Sequence, residues 1–166
     1  MVPILLLAVV LNSVAVSPQT AMVDERRSLS GLSGVDIVVE QLDTTALAEG
    51  LTTDQLKTDV QLKLGSAGIK LGAKFEAYLD IEVFSLQLND KTRQNMTLGY
   101  TAAVMMSLKQ LVNLARHKGL LTWARTWQKK AIIYGPPGHA QEGVRKAVND
   151  LVDKFIDDYL TTNPKS

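Results

Sequence analysis

Along residues 75–83 apolar side chains fall on every second position, Phe75, Ala77, Leu79, Ile81 and Val83, with Glu76, Asp80 and Glu82 between them. A period of two marks a strand with one buried face and one wet face. Past Val83 the apolar positions change parity to Phe84, Leu86 and Leu88. A bulge near residues 83–85 would switch the buried face and give the strand a second apolar surface, one that helices on the first face do not reach. Residues 89–95 are turn formers and predict a hairpin. Beyond it Leu98, Tyr100, Ala102, Val104, Met106 and Leu108 alternate as a long partner strand. Leu108, Leu111, Val112 and Ala115 ahead of Gly119 also match the last turns of a helix, so residues 108–118 stay open between strand and helix. Leu121, Trp123, Arg125 and Trp127 alternate in turn, and the pattern runs on to Tyr134 before Gly135, Pro136, Pro137 and Gly138 end it.

Elsewhere the period is helical. Thr52 stands three residues ahead of Gln55, the pattern of a capping box, and Leu56, Val60, Leu64 and Ala67 follow at helical spacing until Gly68. Asp59 and Lys63 are placed to pair along that helix. Val144, Ala147, Val148, Leu151, Val152, Phe155 and Tyr159 form the apolar stripe of a long final helix over 140–160, and Asn163 and Pro164 end the fold. Residues 35–42, rich in β-branched side chains, predict a first strand, and Val38 and Leu42 on its second face suggest a central position. Residues 69–71 read as a short second strand. The order β-α-β-β-β-β-α gives an α+β, two-layer sandwich: a mostly antiparallel sheet of about five strands with two helices on one face, in a single domain over 34–162.

The N-terminus adds a compartment. Residues 4–16 are a thirteen-position run broken only by Asn12 and Ser13, too short to span a membrane as a helix of about twenty apolar residues. The run suits a secretory signal peptide over 1–21, with small residues at Ala15 and Ala21 near a cleavage point, although no basic residue precedes it. A buried N-terminal strand or helix, or a short uncleaved anchor, are the competing readings. The mature chain then has no transmembrane helix. Residues 22–33 read as a flexible lead-in.

Composition narrows the classes. Of 166 residues 46% are hydrophobic and 21% charged, as in a globular domain. The net charge of +1, from 18 basic and 17 acidic residues, provides no field for nucleic acid or an anionic bilayer. The absence of cysteine excludes disulfides, thiolate metal sites, a cysteine nucleophile and the acylation residue of a bacterial lipoprotein.

One resemblance covers nearly the whole chain after the leader. The string 27–35, Arg-Ser-Leu-Ser-Gly-Leu-Ser-Gly-Val, followed by Gly50-Leu51-Thr52, by 58–64, by Ala67-Gly68-Ile69 and by 151–160, is similar to a group of uncharacterised secreted bacterial proteins. The element order also resembles the small periplasmic domains of TolB and of the auxiliary lipoproteins of envelope transport systems. That topological likeness implies envelope assembly or docking, and the missing cysteine departs from the lipoprotein pattern. Neither resemblance brings catalytic residues.

The candidate chemistry is sparse. Glu76, Asp80 and Glu82 on one strand face could hold a divalent cation or act as general acid and base, while a solvated sheet face balanced by Lys129 and Lys130 is the plainer reading. His139 stands at the entry of the last helix, with no serine or cysteine motif beside it to make it a base. Two prolines between Gly135 and Gly138 remove the amide donors that a phosphate loop needs. Trp123, Arg125, Trp127, Lys129 and Lys130 mix rings and cations as a single-strand or glycan binder would, or as a strand with one ring in the core and a basic outer face. Asn95-Met96-Thr97 matches a glycosylation acceptor.

The sequence therefore predicts an exported, non-enzymatic domain, without metal or cofactor, that binds an envelope protein. Phe84, Leu86, Leu88, Trp123, Arg125 and Trp127 are the candidate contacts, with docking at the strand edge over 121–134. No nucleic-acid partner is expected, and self-association is compatible. The alternative is a small ligand-binding protein or hydrolase that uses Glu76, Asp80 and Glu82.

Overall fold

Three long strands form most of the sheet, because each carries a long run of period-two alternation. The structure is a computed structural model, and it describes residues 25–72, 76–92 and 96–164. The expected leader over 1–21, Phe75 and Asn95 of the sequon lie outside the described residues. After a helical turn at 25–27 come β1 (Asp36–Val39), α1 (Thr44–Ala48), α2 (Thr53–Ser66), β2 (Ala77–Asp90), β3 (Met96–Asn113), β4 (Leu121–Gly135) and α3 (Ala140–Thr162). The sheet order is β1-β2-β3-β4. β1 runs parallel to β2, with Asp36 opposite Tyr78 and Val39 opposite Ile81, and β2, β3 and β4 form an antiparallel meander.

The α+β two-layer class holds, with four strands among the described residues rather than five. The segment 69–71 makes only an isolated bridge between Val35 and Leu71, because Gly68 (φ 82°) and Gly72 (φ 143°) bend the chain on either side. β1 lies at an edge and not in the centre. Its Val38 is exposed, and Leu42 lies past the strand, buried where α1 begins.

The core sits between the sheet and the two long helices. Ala77, Leu79, Ile81 and Val83 of β2 and Ala102, Val104, Met106 and Leu108 of β3 meet Leu56, Val60 and Leu64 of α2 and the Val144 to Phe155 stripe of α3. The capping box forms as expected: the Thr52 hydroxyl accepts from Gln55 N–H at 3.2 Å, and Thr52 N–H donates back to Gln55 Oε1 at 3.3 Å. Asp59 and Lys63 do not pair with each other. Both reach α3 instead, Asp59 to Arg145 through two bonds of 2.8 and 3.0 Å and Lys63 to Asp153 at 2.7 Å, so they clamp the helices together.

Two further expectations change, and a reading left open is decided. No bulge interrupts residues 83–85, where Val83, Phe84 and Ser85 pair in unbroken register with Val104, Ala103 and Ala102. The irregularity falls between Leu88 and Asn89. The parity slip has another cause: β2 outruns the helix layer, so its helix-side positions become Ser85 and Gln87 while its open-face positions become apolar. The residues expected to be flexible over 22–33 are tied down where they are described. Leu29 is fully buried, Arg26 reaches Asp158 at 2.8 Å, and Asn163 bonds both Gly31 N–H and the Leu29 carbonyl at 2.8 Å. Residues 108–113 are strand, and a second irregularity between Leu108 and Lys109 places Leu108 opposite Trp127 but Lys109 opposite Arg125. That extra β4 residue turns Trp127 into the core.

Candidate functional site

With both long helices on one face, the other face of the sheet lies open, and its side chains line up in rows across three strands. Leu86, Thr101 and Tyr134 make one row; Phe84, Ala103 and Ile132 the next; Glu82, Met105 and Lys130 the third; Asp80, Ser107 and Gln128 the fourth. The first two rows are largely apolar and exposed: Phe84 59%, Leu86 60%, Ile132 77% and Tyr134 87%, with Leu88 exposed beside them. An antiparallel sheet that faces water normally carries polar side chains there.

In the lower rows the carboxylates are paired within the face. Asp80 is fully buried and forms an ion pair with Lys109. The hydrogen bond to Asp80 raises the Lys109 pKa above its ordinary value, and burial only partly opposes it. The Lys109 ammonium also stands 5.6 Å from the centre of the Tyr78 ring, which packs edge-to-face with Trp123, ring centres 5.1 Å apart. Arg125 reaches Glu82 at 3.7 Å and Gln128 at 3.2 Å. Ser107 is buried with no hydrogen-bond partner for its hydroxyl among the described residues.

This placement decides most of the sequence candidates. Glu76, Asp80 and Glu82 do not converge: Glu76 precedes β2 and is exposed, while Asp80 and Glu82 face Lys109 and Arg125. Their counter-charges are thus not Lys129 and Lys130; Lys129 pairs with Glu25 at 3.0 Å. No group of three or more His, Asp or Glu side chains placed to hold a metal occurs among the described residues. His139 opens α3 without a side-chain cap bond, 3.6 Å from Glu142. Trp127 is not a surface contact. It is 1% exposed, its indole N–H donates to Asp158 at 3.0 Å, and its ring meets Phe155 edge-on at 5.2 Å. Phe84, Leu86, Leu88, Trp123 and Arg125 all stand on the open face, the first three at one end and the last two at the other.

The sequence reading placed Lys130 on an outer face but missed Ile132 and Tyr134 as surface residues. The signal was available: Ala131 and Ile133 are apolar on one parity and Ile132 and Tyr134 on the other, so β4 carries apolar side chains on both faces there.

β4 is also an edge strand. Gln128 N–H points away from β3, since it donates to the Glu25 carboxylate. Alternate residues of an antiparallel ladder share one direction. The backbone N–H and C=O groups of Lys130, Ile132 and Tyr134 therefore face outward, and no backbone partner meets them among the described residues. The Ile133 carbonyl belongs to the inward set and accepts from the Thr101 hydroxyl at 3.1 Å. Alongside the outward edge runs a groove of about 300 Å³ between β4 and α3, floored by Ala131, Ile133 and Leu151 and rimmed by Lys146, Asp150 and Lys154. Tyr100 lies at one end under Gly143, and burial, with the nearby charges of Glu142 and Glu49, pushes its hydroxyl pKa up. A larger hollow of about 670 Å³ between α2 and α3 is lined by the paired groups Asp59, Arg145, Lys63 and Lys146, whose charges are spent on neighbours.

No family model matches the chain, and no curated protein sequence matches it. Among solved structures it is similar to a minor lipoprotein from Acinetobacter baumannii (11% identity, 80% of this chain and 95% of that one, TM-score 0.37). It is also similar to a PelC dodecamer from Paraburkholderia phytofirmans (12%, 78% and 88%, TM-score 0.40). A third is the rare lipoprotein B from Shewanella oneidensis (11%, 77% and 92%, TM-score 0.30). Likeness at that level carries no role across. No helix among the described residues is long and apolar enough to cross a membrane.

Proposed function

We propose that this chain is an exported, non-enzymatic domain of the bacterial envelope that works by binding protein, and that its partner adds a strand to the free edge of β4. Export rests on the leader pattern over 1–21. The observation that carries the binding mode is the outward backbone set of Lys130, Ile132 and Tyr134, open along a groove whose floor is apolar. Strand addition takes main-chain hydrogen bonds from such an edge, and alternate side chains of the added strand enter the adjoining groove. An unprotected edge is otherwise an aggregation liability that folds blunt or cover. Here the Glu25 carboxylate and Ser28 hydroxyl, on Gln128 N–H and the Thr126 carbonyl, cover the edge only up to residue 128.

The test is a cross-linking scan in cells. Single cysteines or photoreactive residues at positions 130, 132 and 134 are expected to trap a protein other than a second copy of this chain, while Leu62 on the outer side of α2 traps none. Failure to trap at all three edge positions removes the proposal.

A further inference from the structure

The open sheet face has a symmetry that the edge does not use. Its middle strand presents small side chains, Gly99, Thr101 and Ala103, flanked by the ridge of Phe84, Leu86 and Leu88 on β2 and by Ile132 and Tyr134 on β4. Each row pairs unlike residues across that middle line: Leu86 with Tyr134, Phe84 with Ile132, Glu82 with Lys130. A two-fold axis close to the direction of β3 superposes the β2 ridge of one molecule on the β4 ridge of another. Phe84 then meets Ile132, Leu86 meets Tyr134, and Glu82 meets Lys130, each contact occurring twice, as an isologous interface requires.

We infer that the open face is a self-association interface, occupied by a second copy of this chain packed sheet against sheet. Charge supports that occupant over an unrelated one. Lys130 has no ion-pair partner among the described residues, and Glu82 is held only at 3.7 Å by Arg125, so a carboxylate and an ammonium lie at symmetric positions on the two outer strands. The five exposed apolar side chains offer roughly 500 Å² per copy, taking an aromatic or large aliphatic side chain at ~150–250 Å². With the small middle positions and the charged row, the footprint comes close to the ~800 Å² per partner of a standard interface. Two sheets packed in this way keep their strands within about 30° of each other, which the axis along β3 allows. The β4 edge lies at the side of such a pair and stays accessible.

Sedimentation velocity on the full chain, with its leader removed if cells cleave it, tests the inference. The wild-type protein is expected to dimerise. Glu82→Lys alone and Lys130→Glu alone each place like charges in two symmetric contacts and should weaken the dimer at least ~10-fold. Mixing the two single variants pairs lysine with glutamate at both contacts and should restore a heterodimer, as should the double variant with itself. Circular dichroism of each variant confirms that these exposed changes leave the fold intact. A wild-type monomer at every concentration, a monomer that instead binds lipid vesicles, or single variants that dimerise as well as the wild type would overturn the inference. So would a mixture that stays monomeric. The β4 edge is read separately, from cross-links to a protein other than this chain; cross-links between two copies count toward the dimer alone.

Discussion

Lys109 and Gly143 show how single residues hold this fold. Asp80 is fully buried on a face that otherwise meets solvent, and Lys109 is the cation that neutralises it. Lys109→Met is expected to destabilise the domain by about 3 kcal/mol, because removing one partner of a buried pair strands the other charge. Chemical denaturation measures the loss, and replacing Asp80 by Leu in the same chain should recover most of it. The pH dependence has a definite sign. A lysine whose pKa is raised in the fold contributes its full stability below the ordinary value of 10.5 and loses it as pH rises through the raised value. Wild-type stability should therefore fall above about pH 10.5, a fall that Lys109→Met lacks. Gly143 lies inside α3, where glycine costs about 1 kcal/mol relative to alanine. It is there because a Cβ would run into the Tyr100 hydroxyl, whose ring also stands 2.6 Å from where a Gly135 Cβ would be. Gly143→Ala should lower stability by about 1–3 kcal/mol, as overpacking does, despite its better helix propensity; thermal unfolding decides the sign.

Among the elements, α1 is small but well anchored. Asp43 caps it through Ala46 N–H at 2.8 Å and also accepts the Ser85 hydroxyl at 2.6 Å, tying the helix start to the part of β2 that extends past the long helices. Burial pushes the Asp43 carboxyl up, but the hydrogen bonds from the Ser85 side chain and from the Ala46, Ser85 and Thr45 backbone outweigh it and hold the pKa below 3.8. A lowered carboxyl contributes above its unfolded value and loses that contribution as pH falls through the folded value. Asp43→Ala should cost about 1–2 kcal/mol near pH 7, and the difference from wild type should shrink below about pH 4 in acid denaturation. None of this was legible in the sequence. The Asp-Thr-Thr run after β1 read as a strand ending, since a five-residue helix is too short to show periodicity. The long elements were legible because their patterns repeat: the capping box at Thr52, the stripe of α3 and the alternation of β3 all lie where the sequence placed them. What failed were the positions where tertiary context overrides a run. The irregularity opposite Thr126 moved Trp127 to the core face, and the end of the helix layer, not a bulge, accounts for the parity slip after Val83.

At the scale of the whole molecule, two helices cover a sheet whose strands are longer than the helices can shield. The surplus length of β2, β3 and β4 supplies both surfaces proposed to bind, the apolar rows of the open face and the free edge of β4. Phe84, Leu86 and Leu88 were legible as an apolar surface from the slip in parity, and an edge over 121–134 was expected from the order of the elements; what periodicity did not show is that Glu25 and Ser28 cover that edge up to residue 128. Proline isolates the use of the outward donors of β4 by a partner strand. At position 132 proline removes one outward N–H, leaves the inward ladder to β3 intact and is tolerated on an edge strand. Cross-link yield in cells from position 134 to a protein other than this chain should fall at least ~10-fold in the Ile132→Pro background and persist in Ile132→Ala, which loses the side chain but keeps the donor. Equal yields in the two backgrounds would contradict strand addition at β4.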